Sequence, residues 1–122
     1  MAVQAAIFEK RSFKAPDETR PFDKGQVEVL AFAGSTIGKI TLQPGWRWSE
    51  SIKPIAKTEY CEEAHFNYVL SGRLHIQTQD GRSLEMGPGD VMKVTEKHDA
   101  WVVGEEPFVA LEFTAARSYA KR

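Results

Sequence analysis

The sequence predicts an all-β domain, a sandwich or barrel of short antiparallel strands. Runs of aromatic and β-branched residues recur along the chain, alternating apolar with polar, and they amount to roughly nine or ten strands. Turn signals separate them: Gly34-Ser35, Pro44-Gly45, Ser71-Gly72, Asp80-Gly81 and Gly87-Pro88-Gly89. No stretch sustains a helical period of comparable strength, and many short strands at close spacing are what such folds require.

Residues 1–25 are polar and broken by Pro16 and Pro21. They read as an N-terminal arm with at most one short strand, draped over the barrel or a partner subunit. The domain proper is expected over 26–116, with 117–122 as a helical turn or tail. Gln26 to Ala33 and Ile37 to Leu42 are the first strands, Ile37, Lys39 and Thr41 facing away from Ile40 and Leu42. In Trp46-Arg47-Trp48-Ser49 the two tryptophans share a face, either filling the mouth of the barrel or walling a ligand pocket. Ser51 to Thr58 carries Pro54 and reads as a loop.

Phe66 to Leu70 closes on Ser71-Gly72 as a strand entering a turn. Alternation directs His65, Asn67 and Val69 to one face and Phe66, Tyr68 and Leu70 to the other. Arg73 to Gln79 follows, with Leu74, Ile76 and Thr78 inward and His75 outward. Asp80-Gly81 makes a two-residue hairpin to Arg82 to Met86. Val91 to Val94, Trp101 to Val103 and Phe108 to Thr114 complete the set. The expected interior is lined by His65, Asn67, Val69, Leu74, Ile76 and the Trp46/Trp48 face.

Composition narrows the function. The 122 residues make one domain, 42% hydrophobic and 27% charged, as soluble globular chains are. A formal net charge of -1, with acids and bases interspersed, argues against a nucleic-acid partner. The single cysteine, Cys61, excludes an internal disulfide and fits a reducing compartment. Ala2 to Phe8 is too short for a signal peptide, and no run approaches the ~20 apolar residues of a membrane span. The expected location is cytoplasmic. An arm that must bury Ile7, Phe8 and Phe13, beside an open sheet edge, predicts a homodimer.

The stretch from Tyr60 to Gly72, Tyr-Cys-Glu-Glu-Ala-His-Phe-Asn-Tyr-Val-Leu-Ser-Gly, resembles the first motif of the cupin superfamily. That motif runs His-x-His, three or four residues, Glu, six residues, Gly, and its His and Glu side chains usually bind a metal. Here Gly72 is the closing glycine, His65 stands at the Glu position, and Glu59 and Cys61 stand at the two His positions. Gly89 to His98 resembles the second motif, with Thr95 and Lys97 in place of its Pro and Gly and with Ala100 at its ligand histidine. The resemblance implies a cupin-type antiparallel β-barrel, a jelly roll or double-stranded β-helix.

Each substituted ligand position of the first motif still carries a metal-binding group, a carboxylate on Glu59, a thiolate on Cys61 and an imidazole on His65, whereas Ala100 cannot ligate. His98 lies two residues before Ala100 on the same strand face, about 6–7 Å along the strand. The expected metal set is Cys61, His65 and His98 with Glu59 as fourth member, suited to zinc or iron(II). Glu59 and His98 are the candidates for proton transfer, and Trp46, Trp48, Asn67 and Trp101, with Tyr68 beside them, the candidate pocket walls. A Cys-His nucleophile pair, Cys61 with His65 or His98, is the metal-free arrangement of the same residues. Two function classes stay open. One is a metal-dependent enzyme of dioxygenase or isomerase type acting on a small organic molecule; the other is a sensor or carrier that binds ligand or metal without turnover. Phosphate loops and nucleophile elbows are lacking.

Overall fold

The computed structural model of the chain describes residues 6–121. Among them, nine strands form two antiparallel sheets. The larger has six strands in the order β1-β2-β3-β9-β4-β7: β1 (Glu18–Phe22), β2 (Gly25–Phe32), β3 (Ser35–Leu42), β9 (Phe108–Glu112), β4 (His65–Ser71) and β7 (Val91–Val94). The smaller has the order β6-β5-β8: β6 (Ser83–Met86), β5 (Arg73–Thr78) and β8 (His98–Val103). The chain passes between sheets at four connections, β4–β5, β6–β7, β7–β8 and β8–β9, as in a jelly roll. No helix among the described residues is long and apolar enough to cross a membrane.

Alternation is obeyed strand by strand. On β4, His65, Asn67 and Val69 are buried while Phe66, Tyr68 and Leu70 are exposed. On β5, Leu74 and Ile76 face in, and on β8 His98, Ala100 and Val102 do the same. The interior between the sheets is filled by these residues with Val27, Ile40, Leu42, Trp46, Trp48 and Phe108. Removing that apolar surface from water supplies the main drive to fold.

One region departs from the sequence-based expectation. Trp48 to Ala56 is two single helical turns rather than extended chain and loop: α1 (Trp48–Ser51) and α2 (Lys53–Ala56). One turn buries too few residues to leave a readable 3.6-residue period. At the other end, a 3-10 turn at Ala115–Arg117 leads to Tyr119 and Ala120, both buried. Arg20 of β1 secures that segment: its guanidinium donates to the carbonyls of Ala116 at 2.8 Å, Tyr119 at 2.9 Å and Arg117 at 3.1 Å. A strand from the N-terminal region and the C-terminal turn therefore close the same end of the barrel.

Gly72 is the corner at which the chain leaves the large sheet for the small one. Its φ is 77°, and a Cβ there would stand 2.2 Å from the Pro107 carbonyl oxygen. Gly81, at φ 92°, has nothing within 4 Å. Gly81→Ala is expected to cost about 1 kcal/mol, the backbone penalty alone. Gly72→Ala, which adds a backbone collision, is expected to cost roughly 3 kcal/mol or more. Urea unfolding of both variants checks this, and equal losses would contradict the corner's role.

Candidate metal centre

Cys61, His65 and His98 meet at the closed end of the barrel. Their ligand atoms all lie within 4.8 Å of one another, and all three residues are buried. His65 opens β4 and points inward by alternation. Cys61 is held outside any strand by a reciprocal backbone pair with the first residue of β8: its N–H donates to the His98 carbonyl at 2.8 Å, and the His98 N–H donates back at 3.2 Å. Residues exchanging both bonds sit directly opposite one another. That bridge brings the thiol and the second imidazole together.

Both imidazoles are oriented by their other nitrogen. His65 Nδ1 lies 2.5 Å from Oε1 of Glu112, and His98 Nδ1 lies 2.8 Å from the Glu96 carbonyl oxygen. A carbonyl only accepts, so His98 carries its proton on Nδ1 and offers Nε2. The ionised Glu112 fixes the same tautomer in His65, whose Nε2 is 3.5 Å from Cys61 Sγ. Imidazoles anchored through N–H to a carboxylate or carbonyl are the usual support of metal-ligating histidines.

In the metal-free protein the electrostatics favour a thiolate beside a protonated His65, whose proton a bound ion would displace. Burial pushes the Cys61 thiol up, but hydrogen bonds and charge from His65 and His98 outweigh it and bring it from 9.0 down to about 7. Burial pulls His65 down, yet Cys61 and Glu112 outweigh it and raise it from 6.5 to about 9. Glu112 is likewise pushed up by burial but held below 4.5 overall by His65 and by the Phe66 and Thr114 N–H groups. The donor set fits a soft divalent ion: one ionisable thiol and two neutral-capable imidazoles. Donors around a tetrahedral ion stand about 3.3–3.8 Å apart, which the Cys61–His65 pair already satisfies.

Glu59 is not part of the cluster. Its side chain is 80% exposed and pairs with Lys53 at 3.2 Å. Alternation with Cys61 would hold only in extended chain, and residues 57–60 form a bend entered through Lys57 at φ 60°. Glu59 therefore serves neither as ligand nor as proton carrier at this centre. Trp101 is also misplaced by the pocket expectation. With His98 and Ala100 inward it must face out, where it stacks on His75 at 4.5 Å beneath the Arg47 guanidinium. Tyr68 faces out as well. Trp46, Trp48 and Asn67 do line an interior cavity with His65 and His98. That cavity is only ≈ 30 Å³, because the tryptophans and Tyr119 fill the rest.

Two contributors escape the motif comparison. Glu112 shares the inward face of β9 with Phe108 and Ala110, so period-two alternation alone would have pointed to it. Tyr119 packs its ring edge-on to His65, centroids 5.2 Å apart. It arrives from a tail without regular structure, and nothing local announces it.

No family model matches the chain, and no curated protein does. Solved structures do. A protein of unknown function from Rhizobium leguminosarum bv. viciae is similar over 89% of this chain and 97% of its own, at TM-score 0.61 and 20% identity. A DUF1255 protein of unknown function from Acidithiobacillus ferrooxidans is similar over 81% of this chain and 88% of its own, at TM-score 0.58 and 23% identity. The oxalate decarboxylase of Lactobacillus farciminis, a cupin, is similar over 84% of this chain but 32% of its own, at TM-score 0.57 and 17% identity. The chain has the cupin fold. At these identities the likeness carries the fold and no activity. Within the cupin barrel of this chain, Cys61, His65 and His98 converge as a candidate metal-ligand set, and Ala100 is buried on the same face of β8 as His98.

In the metal-free protein the three titrations set a pH optimum for stability. His65 is raised, so its contribution is full below 6.5 and is lost as pH rises through about 9. Cys61 is depressed, so its contribution is full above 9.0 and is lost as pH falls through about 7. Glu112 adds a further loss below 4.5. Chemical denaturation across pH is expected to show greatest stability between about 7 and 9. Glu112→Ala, which strips the acceptor from His65 and from the N–H groups of Phe66, Thr114 and Ala115, is expected to cost on the order of 3–5 kcal/mol.

Proposed function

We propose that this chain is a small cupin that binds one divalent metal ion, zinc or iron(II), through Cys61, His65 and His98. One observation carries the reading: two imidazoles, each committed through Nδ1 to an acceptor, converge with a thiol whose ionisation is favoured at neutral pH. A bound ion would supply Lewis acidity or oxygen activation.

The small organic ligand belongs outside the barrel. A cleft of ≈ 410 Å³ lies between the α1–α2 turns and the C-terminal segment, with Trp48, Ile52 and Ile55 as floor and Glu62, Glu63 and Lys121 among its other lining residues. Cys61 forms part of its wall. Its volume suits a small organic molecule, whereas the barrel interior does not. Binding without turnover is the function class the geometry favours. His98 is committed through Nδ1 to the Glu96 carbonyl and, as a ligand, would be committed through Nε2, and Glu59 faces solvent, so neither expected proton carrier would be free at the centre. Glu63 is bonded to Ser118 and Glu62 lies 3.8 Å from Lys97.

Metal analysis after zinc loading tests the centre. Wild type and His75→Ala are expected to retain about one ion per chain, and Cys61→Ala or a His65→Ala/His98→Ala double variant to lose it. Equal content in all four defeats the reading. Turnover of a keto-acid or aromatic compound that disappears with a chelator would establish the catalytic class instead.

A homodimer is part of the same proposal. Ile7 and Phe8 are exposed on the single chain, as are Phe66, Tyr68, Leu70 and Val91 on the outer face of the large sheet. Sedimentation at roughly tens of micromolar is expected to give twice the chain mass, and monomer alone would refute it.

A further inference from the structure

Trp46 Nε1, Trp48 Nε1 and Asn67 Oδ1 are buried without a hydrogen-bond partner, and they are the only such side-chain atoms among the described residues. The three residues are 2%, 2% and 4% exposed. All three line the same ≈ 30 Å³ interior cavity, which His65, His98 and Tyr119 also border. Isolated polar groups in an apolar interior are costly, and folded proteins pair nearly all of them with protein groups or ordered water. Three on one small cavity describe the partner they share.

Its chemistry can be read from the three groups. The two indoles donate and the Asn67 carbonyl accepts, so the partner must accept two hydrogen bonds and donate one. It must also be small, since a single water needs about 10–15 Å³ on the same measure. Leu42, Leu74, Ile76 and Phe108 add hydrocarbon to the wall, which disfavours a charged ligand; the Asn67 carbonyl oxygen further disfavours an anion and the two indole N–H groups a cation. We propose that this cavity is a binding site for a neutral, water-sized hydroxylic ligand, held by the indole N–H groups of Trp46 and Trp48 and the side-chain carbonyl of Asn67. Water fills it in the resting protein. The inference deepens the metal-centre proposal and rests on the same site, because His65 and His98 border this cavity whereas Cys61 lines the outer cleft. It also makes the barrel interior selective by size: organic molecules are confined to the cleft beside Cys61.

The test uses nitrogen-labelled full-length protein, metal-free and zinc-loaded, with zinc content measured on the same samples. The chain has three tryptophans, so Trp101, half-exposed on the outer face, serves as internal reference. The indole N–H groups of Trp46 and Trp48 are expected to show magnetisation transfer from a long-lived water that Trp101 lacks, and to stay unmoved by sodium azide. Asn67→Leu is expected to abolish that transfer and to lower Tm by roughly 3 °C or more, because a used acceptor is lost. Absence of the water signal in wild type, a shift of both indoles with azide, or an unchanged or raised Tm in Asn67→Leu overturns the proposal. If that variant does not fold, the two wild-type measurements decide. A water signal in protein that takes up no zinc defeats the metal reading and leaves this one standing.

Discussion

The arrangement at the closed end of the barrel depends on one buried carboxylate. Glu112 is fully buried on β9, where an unsupported charge would cost several kcal/mol. It is supported by His65 through one oxygen and, through the other, by the N–H groups of Phe66, Thr114 and Ala115 and the Thr114 hydroxyl. Those donors belong to β4 and to the turn that starts the C-terminal segment. One side chain thus ties the ends of two neighbouring strands to the segment that caps them. It also fixes which nitrogen of His65 is free to face Cys61, so the fold and the chemistry of the centre answer to the same interaction.

The other half of the centre is positioned by backbone. Cys61 sits in irregular chain, yet its two bonds to His98 leave it little freedom. Arg20 does the corresponding work for Tyr119, holding three carbonyls of the C-terminal segment from a strand at the opposite end of the sequence. A charged group hydrogen-bonded this way contributes more than a neutral pair would. Tyr119 then covers His65 and narrows the interior to a space the size of a small ligand.

Much of this was legible from side-chain alternation. The inward faces of β4 and β5 were read from period two, as was the outward placement of His75. Two expectations fail for different reasons. Glu59 enters the ligand set through the motif's His-x-His spacing, which does not carry over where the chain bends after Lys57. Trp101 was admitted to the pocket for its size, although the parity that turns His98 inward turns Trp101 out. Glu112 is readable by the same parity, on the inward face of β9 and outside both motifs. Tyr119 was not readable, since its position rests on a bond to a residue distant in sequence.

The partition of space around Cys61 bears on which function class suits the molecule. The interior cavity is bordered by the two histidines, whereas the larger cleft is bordered by the cysteine. An ion held by all three and an organic molecule in the cleft would therefore meet through the sulfur, from opposite sides. Any contact in the cleft that changes the electron density or position of Sγ changes the affinity for the ion. By linkage, the ion changes affinity in the cleft by the same factor. An enzyme of this fold would instead gain from placing its substrate on the open side, within reach of the activated ligand. The interior cavity that His65 and His98 border is lined also by Trp46, Trp48 and Asn67, and at ≈ 30 Å³ it would admit no substrate of that kind. Under the proposed function, metal and organic ligand would share one residue, Cys61, and each would be sensed through the other.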